Sequence, residues 1–213
     1  EFQAAFEGLR ALRHLPSLQA LSLAKKVERP DGMHYIVSVV EPLHVSNAHL
    51  IGFDINNQPN SLRAIELAQD LNEAVMSAPL RLKQAPESAS EVSGIVMRLP
   101  AFTPGPVPTT VAQRRARALG SLGASFMIRR LVEDALRGDA GDDMAIAIFD
   151  VTNGSRIQLY SNQSKASLPS KNLIHREISF GQRTWRMELV DLRPTPVWSS
   201  WAQVLLFGTL SSV

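Results

Sequence analysis

The chain has 213 residues, 45% of them hydrophobic and 20% charged, so it buries a core as one large domain or two small ones and is not disordered as a whole. A formal charge of +2, a pI near 9.2 and only 6% aromatic residues describe a slight Lys/Arg excess rather than a basic stripe with stacking platforms, and give no support to nucleic acid as a partner. The absence of cysteine excludes a disulfide framework, a Cys-based zinc site, a thiol nucleophile and an iron–sulfur cluster.

Phe2, Phe6, Leu9, Leu12 and Leu15 recur at three- or four-residue spacing with Arg10 and Arg13 between them, which predicts a helix running to Pro16. A second apolar stretch, residues 18–27, leads into the turn Pro30-Asp31-Gly32. Residues 34–41 are rich in β-branched side chains and predict a strand that Pro42 ends, followed by a loop over 44–47 and a brief strand at 50–54. The segment 56–61 offers an N-cap for a helix over about 62–72, with Leu62, Ile65, Leu67, Ala68 and Leu71 as its apolar residues. Short strands are predicted at 74–77, 80–83 and 94–102, with an exposed polar loop over 84–93. The proline-rich stretch 103–110 is stiff and unsuited to a sheet. A strand at 120–128 and a helix at 129–137 ending at Gly138 come next, and the boundary between two lobes falls in this region. Four further strands, at 144–150, 156–160, 174–180 and 183–190, are separated by Asn/Gly/Ser-rich turns. Two strand groups with intervening helices predict a tandem α+β architecture.

Beyond Arg193 the charge stops, and Trp198 and Trp201 precede the most apolar part of the tail. This reads either as an interfacial aromatic belt entering a membrane helix or as a C-terminal helix packed on the domain, since the uncharged stretch is short of the roughly 20 residues of a span. The opening residues read as an amphipathic helix rather than a signal peptide.

Catalytic patterns are weak. Neither G-x-G-x-x-G nor a P-loop occurs, and Gly120-Ser121-Leu122-Gly123 lacks the further glycine and the lysine. The five histidines, His14, His34, His44, His49 and His175, are not at metal-ligand spacing. Asp139, Asp142 and Asp143 surround a glycine-rich turn without the calcium-loop pattern and read as a solvated turn. No serine has the G-x-S-x-G flank. Arg114, Arg115 and Arg117 read as a solvated face. This profile suits a sensor better than an enzyme.

The order of motifs resembles the CHASE domain, the extracytoplasmic sensory module of membrane-bound histidine kinases, diguanylate cyclases and related receptors, best known from plant cytokinin receptors. The matching segments are Leu15-Pro16, Val40-Glu41-Pro42, Gly52-Phe53-Asp54, the helix leading to Asn72 and on through Pro79 to Leu82, and Gly94-Ile95-Val96-Met97-Arg98-Leu99-Pro100-Ala101-Phe102. They continue through Leu122-Gly123, Phe126, Leu131-Val132, Ile146-Ala147-Ile148-Phe149-Asp150 and Phe180-Gly181-Gln182 up to Trp185, and span about residues 6–190.

The resemblance implies an α+β fold with a long N-terminal helix and two tandem PAS-like lobes, each an antiparallel sheet with helices. It divides the chain into an N-terminal helical segment (1–32), a membrane-distal ligand-binding lobe (33–128), a membrane-proximal lobe (129–192) and a juxtamembrane segment leading to a transmembrane helix (193–213). It further implies a periplasmic or extracellular location, a small-molecule ligand, flanking transmembrane helices, a homodimer, no cofactor, no nucleic acid and no catalysis by the domain itself. The output module would be a kinase, a cyclase or a phosphodiesterase. The stripe Phe2, Phe6, Leu9 belongs either to a dimer helix or to a helix packed on its own domain.

By the same resemblance, Ser61, Ser77, Leu82, Lys83, Met97, Arg98, Phe102, Leu122 and Phe126 line the distal pocket. In the plant receptors an aspartate matching Ser61 reads the adenine of the hormone, and a threonine lines the pocket where this chain has Arg98. A guanidinium grips a carboxylate or phosphate bidentately, so Arg98 facing the pocket favours an anionic small molecule, with Ser61 and Ser77 adding neutral hydrogen bonds. Strand alternation puts Ile95, Met97 and Leu99 on one face and Val96 and Arg98 on the other, and leaves open which face meets the pocket. The alternatives are an adenine derivative as ligand and a protein-interaction domain without a small ligand.

Overall fold

The computed structural model describes residues 17–43, 45–84, 94–136, 144–163 and 173–192. The predicted helix before Pro16, the acidic turn at 139–143 and the uncharged tail lie outside them.

Leu18–Arg29 (β1) and Gly32–Glu41 (β2) form an antiparallel hairpin in which Arg29 pairs with Gly32 across Pro30 and Asp31. Of the N-terminal helical segment expected over 1–32, Leu18–Arg29 is strand instead, and residues 1–16 lie outside the described residues. From Leu18 the chain is an interior strand of the first sheet, bonded to β2 on one edge and to the strand Ala118–Met127 (β5) on the other. Ladder hydrogen bonds on both edges, with Ala20 and Ala24 buried on one face, override the helix-tolerant composition of this stretch.

After β2 comes a short helix, Val45–Ala48 (α1), where a loop was expected. The strand expected at 50–54 is a turn that meets β2 through the single bridge Ile36 to Asp54. Gly52 at φ +82° turns the chain, and the Asp54 carboxylate accepts from the Asn56 amide at 3.0 Å to cap a short 3-10 turn, so the backbone leaves the ladder at once. The strand expected at 80–83 is likewise one bridge, Leu80 to Gly94.

Pro59–Leu71 (α2) begins on a proline that needs no amide partner there and ends with Asn72 in the left-handed conformation, φ 57°. Its buried residues Ser61, Ala64, Ile65, Ala68 and Gln69 follow the i, i+3, i+4, i+7 stripe. Val75–Met76 (β3), Gly94–Phe102 (β4), Val111–Arg117 (α3), Ala118–Met127 (β5) and Ile128–Ala135 (α4) complete the first half. The second half contributes Met144–Asp150 (β6), Ile157–Ser161 (β7), Ile174–Phe180 (β8) and Arg183–Asp191 (β9).

The first sheet has the order β2-β1-β5-β4-β3 and the second β7-β6-β9-β8, with antiparallel pairing throughout. One face of the first sheet packs under α2, where Ala20, Ala24, Tyr35, Val37 and Ile65 share a core. The other face belongs to a second core. There Ile95 of β4 and Ile128 and Val132 of α4 meet Ile146, Ile148 and Trp185 of the second sheet. The first sheet is thus covered on both faces, so its strands lack the simple apolar/polar alternation of a half-solvated sheet.

Candidate functional site

The inward stripe of α2 places Ser61 over β4, and the pleat of β4 turns Arg98 up towards it. Ser61 is fully buried and Arg98 is 4% exposed. The serine hydroxyl accepts from Arg98 Nε at 3.2 Å and from Nη2 at 2.8 Å. Nη1 is buried and has no hydrogen-bond partner among the described residues. Directly opposite Arg98 on β5 stands Gly123, and on β1 Gly123 is paired with Ser22. A Cβ at position 123 would collide with Nη1 and would sit 2.8 Å from Ser22 Oγ. The missing side chain of Gly123 is therefore the room in which the guanidinium lies.

Arg98 forms one wall of a cavity of about 40 Å³. Ser22, Val37, Phe53, Leu82 and Val96 are among its other walls, and no described aspartate or glutamate lines it. Loss of hydration lowers the Arg98 pKa to about 10, still well above neutrality, so the group is a buried cation whose bonded partner among the described residues is a neutral hydroxyl. At the rim Lys83 lies with its ammonium 5.2 Å from the centre of the Phe53 ring. Gln84 donates to Ser125 Oγ at 3.2 Å, and Ser125 donates to the Ala20 carbonyl at 3.2 Å.

Of the residues expected to line a pocket, Ser61 and Arg98 bond each other, while Leu82, Lys83 and Arg98 line the cavity. Ser77 is fully buried, but its hydroxyl accepts from the Val96 amide at 3.0 Å and its own amide donates to the Val96 carbonyl at 2.9 Å. It fastens the end of β3 to β4 and is not among the residues that line the cavity. Met97, Leu122 and Phe126 are corrected. The cross-strand pairs Ile95–Phe126, Met97–Ala124 and Leu99–Leu122 place them on the face opposite Arg98, where Met97 and Phe126 pack against the core shared with the second sheet. Phe102 pairs with Ala118 beyond a register shift at the end of β4, away from the residues that line the cavity. The expected set takes Met97, Leu122 and Phe126 together with Arg98, although the pleat turns them to opposite faces of the sheet.

Ser22, Val37, Phe53 and Gln58 line the cavity and were not expected there. The small-residue run Ala20, Ser22, Ala24 at period two was a usable signal for Ser22, once the segment is read as a strand.

A larger open groove of about 680 Å³ lies between the β1–β2 hairpin, α2 and α3, with Tyr35, Leu62, Arg63, Asp70 and Arg115 among its walls. The arginine cluster read as a solvated face clamps this side. Arg115 grips the Asp70 carboxylate at 2.8 and 2.6 Å, Arg114 donates to the Asp70 carbonyl at 2.9 and 2.6 Å, and Arg117 donates to Thr103 Oγ1 at 3.0 Å. A capping box between Thr110 and Gln113 starts the helix that carries them.

The sequence profile of the CHASE domain matches residues 1–160. Over 160 residues the chain is 26% identical to "Probable histidine kinase 4" of Oryza sativa subsp. japonica, covering 74% of this chain and 15% of that protein, so it spans a small part of its relative's length. Among solved structures, an extracellular ligand binding receptor from Desulfohalobium retbaense superposes with a TM-score of 0.51 at 14% identity, over 87% of this chain and 32% of the other. At that identity the likeness speaks to fold. With three quarters of its length matched by the profile, this chain belongs to the CHASE domain family, the extracytoplasmic sensory domains of membrane receptors.

Proposed function

We propose that this domain senses an anionic small molecule held in the distal-lobe cavity against Arg98. The observation that carries the reading is a guanidinium 4% exposed and bonded, among the described residues, to a neutral serine alone. An unpaired buried charge is costly, and a site that tolerates one is suited to receive the opposite charge from outside. Binding shifts a receptor only by favouring one conformation over another. Here the strand that holds Arg98 also contributes Ile95 to the core shared with the second sheet, so a change at the cavity has a packed route to the proximal lobe. The histidine kinase among the relatives supports a kinase output; a cyclase output in its place, transmembrane helices flanking the domain and a homodimer are further parts of the proposal.

The test is a thermal-shift screen of the purified chain against amino acids, organic acids, phosphate esters and adenine derivatives. Stabilisation by anions, and its loss in Arg98→Ala, is the expected result. Stabilisation by adenine derivatives alone overturns the anionic reading. A flat response to the whole panel overturns the small-molecule reading and favours a protein-interaction role.

A further inference from the structure

We infer that the ligand of this cavity is a small monocarboxylate of about two to four carbons, its carboxylate on the Nη1–Nη2 edge of Arg98 and its carbon chain among Val37, Leu50 and Phe53. This rests on the sensor reading above and narrows it.

The charge comes first. Ser61 takes the Nε hydrogen and one hydrogen of Nη2, which leaves the second hydrogen of Nη2 and one hydrogen of Nη1 parallel along the next edge of the plane, with the other Nη1 hydrogen on the Cδ side. That edge matches the two oxygens of a carboxylate, which accept two parallel hydrogen bonds from a guanidinium. Ser22 lies beside it, paired with Gly123 under Nη1. The size is the second constraint. A cavity of about 40 Å³ has room for about three water-sized spheres, the bulk of acetate or propionate and far less than a fused purine. The third constraint is the remaining lining. Val37, Leu50, Phe53 and Val96 supply apolar surface, Ser22, Gln58 and Ser125 neutral polar groups, and Lys83 a cation at the rim, so the ligand carbon next to the carboxylate has apolar partners. Inorganic phosphate matches the guanidinium but leaves the apolar part of this lining without a partner.

The experiment is a calorimetric titration of the whole chain with acetate, propionate, butyrate, hexanoate, propionamide, benzoate and phosphate. Propionate or a neighbour within the two- to four-carbon range is expected to bind best. Propionamide, of the same shape without the charge, and hexanoate, too long for the cavity, should each be weaker by about tenfold or more. In Arg98→Met the propionate affinity should fall by at least about tenfold. The wild-type series stands by itself if that variant does not fold. Equal affinity for propionate and propionamide, a preference for hexanoate, benzoate or phosphate, or no carboxylate binding at all overturns the assignment. If the carboxylates fail while another anion in the metabolite screen binds through Arg98, the narrowing alone is lost. If both series are flat, the sensor reading falls with it.

Discussion

The amide of Met76 donates a 2.8 Å hydrogen bond to the carbonyl of Gly181, and this bond ties the two sheets together through a strand of only two residues. On its other edge the same strand pairs Val75 with Arg98 and Met76 with Met97. The two residues of β3 therefore link the backbone of Arg98 to the turn that joins β8 to β9. The contact is close enough to require glycine: Gly181 sits at φ +55°, and a Cβ there would lie 3.0 Å from the Met76 nitrogen and 3.1 Å from its Cβ.

Gly181→Ala combines a left-handed backbone with that contact, and should cost about 1–2 kcal/mol. For a chain of this size that lowers Tm by roughly 2–8 °C. Hydrogen exchange at the Met76 amide should quicken by more than the global loss of stability accounts for, because the bond it donates is the one strained. Unchanged relative protection at Met76 would show that this link between the sheets does not depend on the glycine.

Arg98 should cost the unliganded domain stability. Its charge is buried and its Nη1 has no hydrogen-bond partner among the described residues, so Arg98→Met, which keeps much of the volume and removes the charge, is expected to be neutral or stabilising, by up to about 4 kcal/mol. Arg98→Ala instead opens space under α2 and should destabilise by roughly 1–3 kcal/mol. Urea unfolding of the three proteins decides the matter. A destabilised Arg98→Met with Arg98→Ala no worse would mean that the guanidinium is held by favourable interactions that a ligand anion does not need to supply.

The sequence carried most of the strand inventory because β-branched runs such as 34–41 and 144–150 admit few other readings, and it carried the order of motifs that marks the family. It failed where the local signal was short or ambiguous. Residues 18–29 are rich in Leu, Ala and Lys, good helix formers, and become a strand only through neighbours on both edges. Residues 50–54 and 80–83 are apolar enough for strands but have a single bridge each. At the site, the pair Ser61 and Arg98 was legible as two departures from the relatives' pattern. Which face of β4 meets the cavity was not, since both faces are covered, one by α2 and one by the second core. Gly123 became meaningful only once the β4–β5 register set it opposite Arg98.

Two glycines of β5 separate the site from the scaffold. At Gly120 a Cβ would collide with the backbone carbonyl of Ala24 on β1, whereas at Gly123 it would meet the ends of the Arg98 and Ser22 side chains. Backbone in a central strand cannot step aside, but side-chain tips can. Gly120→Ala should therefore cost about 3 kcal/mol or more, and Gly123→Ala about 1–2 kcal/mol. Gly123→Ala should also displace the guanidinium and weaken anion binding by about tenfold, with Gly120→Ala leaving binding per folded molecule unchanged. Equal effects of the two on stability and on binding would count against the placement of Nη1 over Gly123.

In the second sheet, Asp150 has no exposed surface and accepts from Arg183 Nε at 2.5 Å and from the Thr152 amide at 3.0 Å. Burial pushes its carboxyl up, but the hydrogen bonds from Arg183 and Thr152 outweigh that and hold it below the usual carboxylate range. A carboxyl with a lowered folded pKa contributes stability that is fully present above its unfolded value, about 3.9, and is lost as pH falls through the folded value. Asp54, held low by His34, Asn56 and Arg29 against its own desolvation, and Asp70, held low by Arg115, act in the same direction. The folded domain should thus lose stability steeply below about pH 4. Asp150→Asn should flatten part of that slope, the part left belonging to Asp54 and Asp70. At neutral pH the same change should cost about 3–5 kcal/mol, because Arg183 is left without its buried partner. Unfolding free energies of the wild type and Asp150→Asn across this acid range measure both effects, and parallel curves would mean that Asp150 does not titrate differently in the folded and unfolded chains.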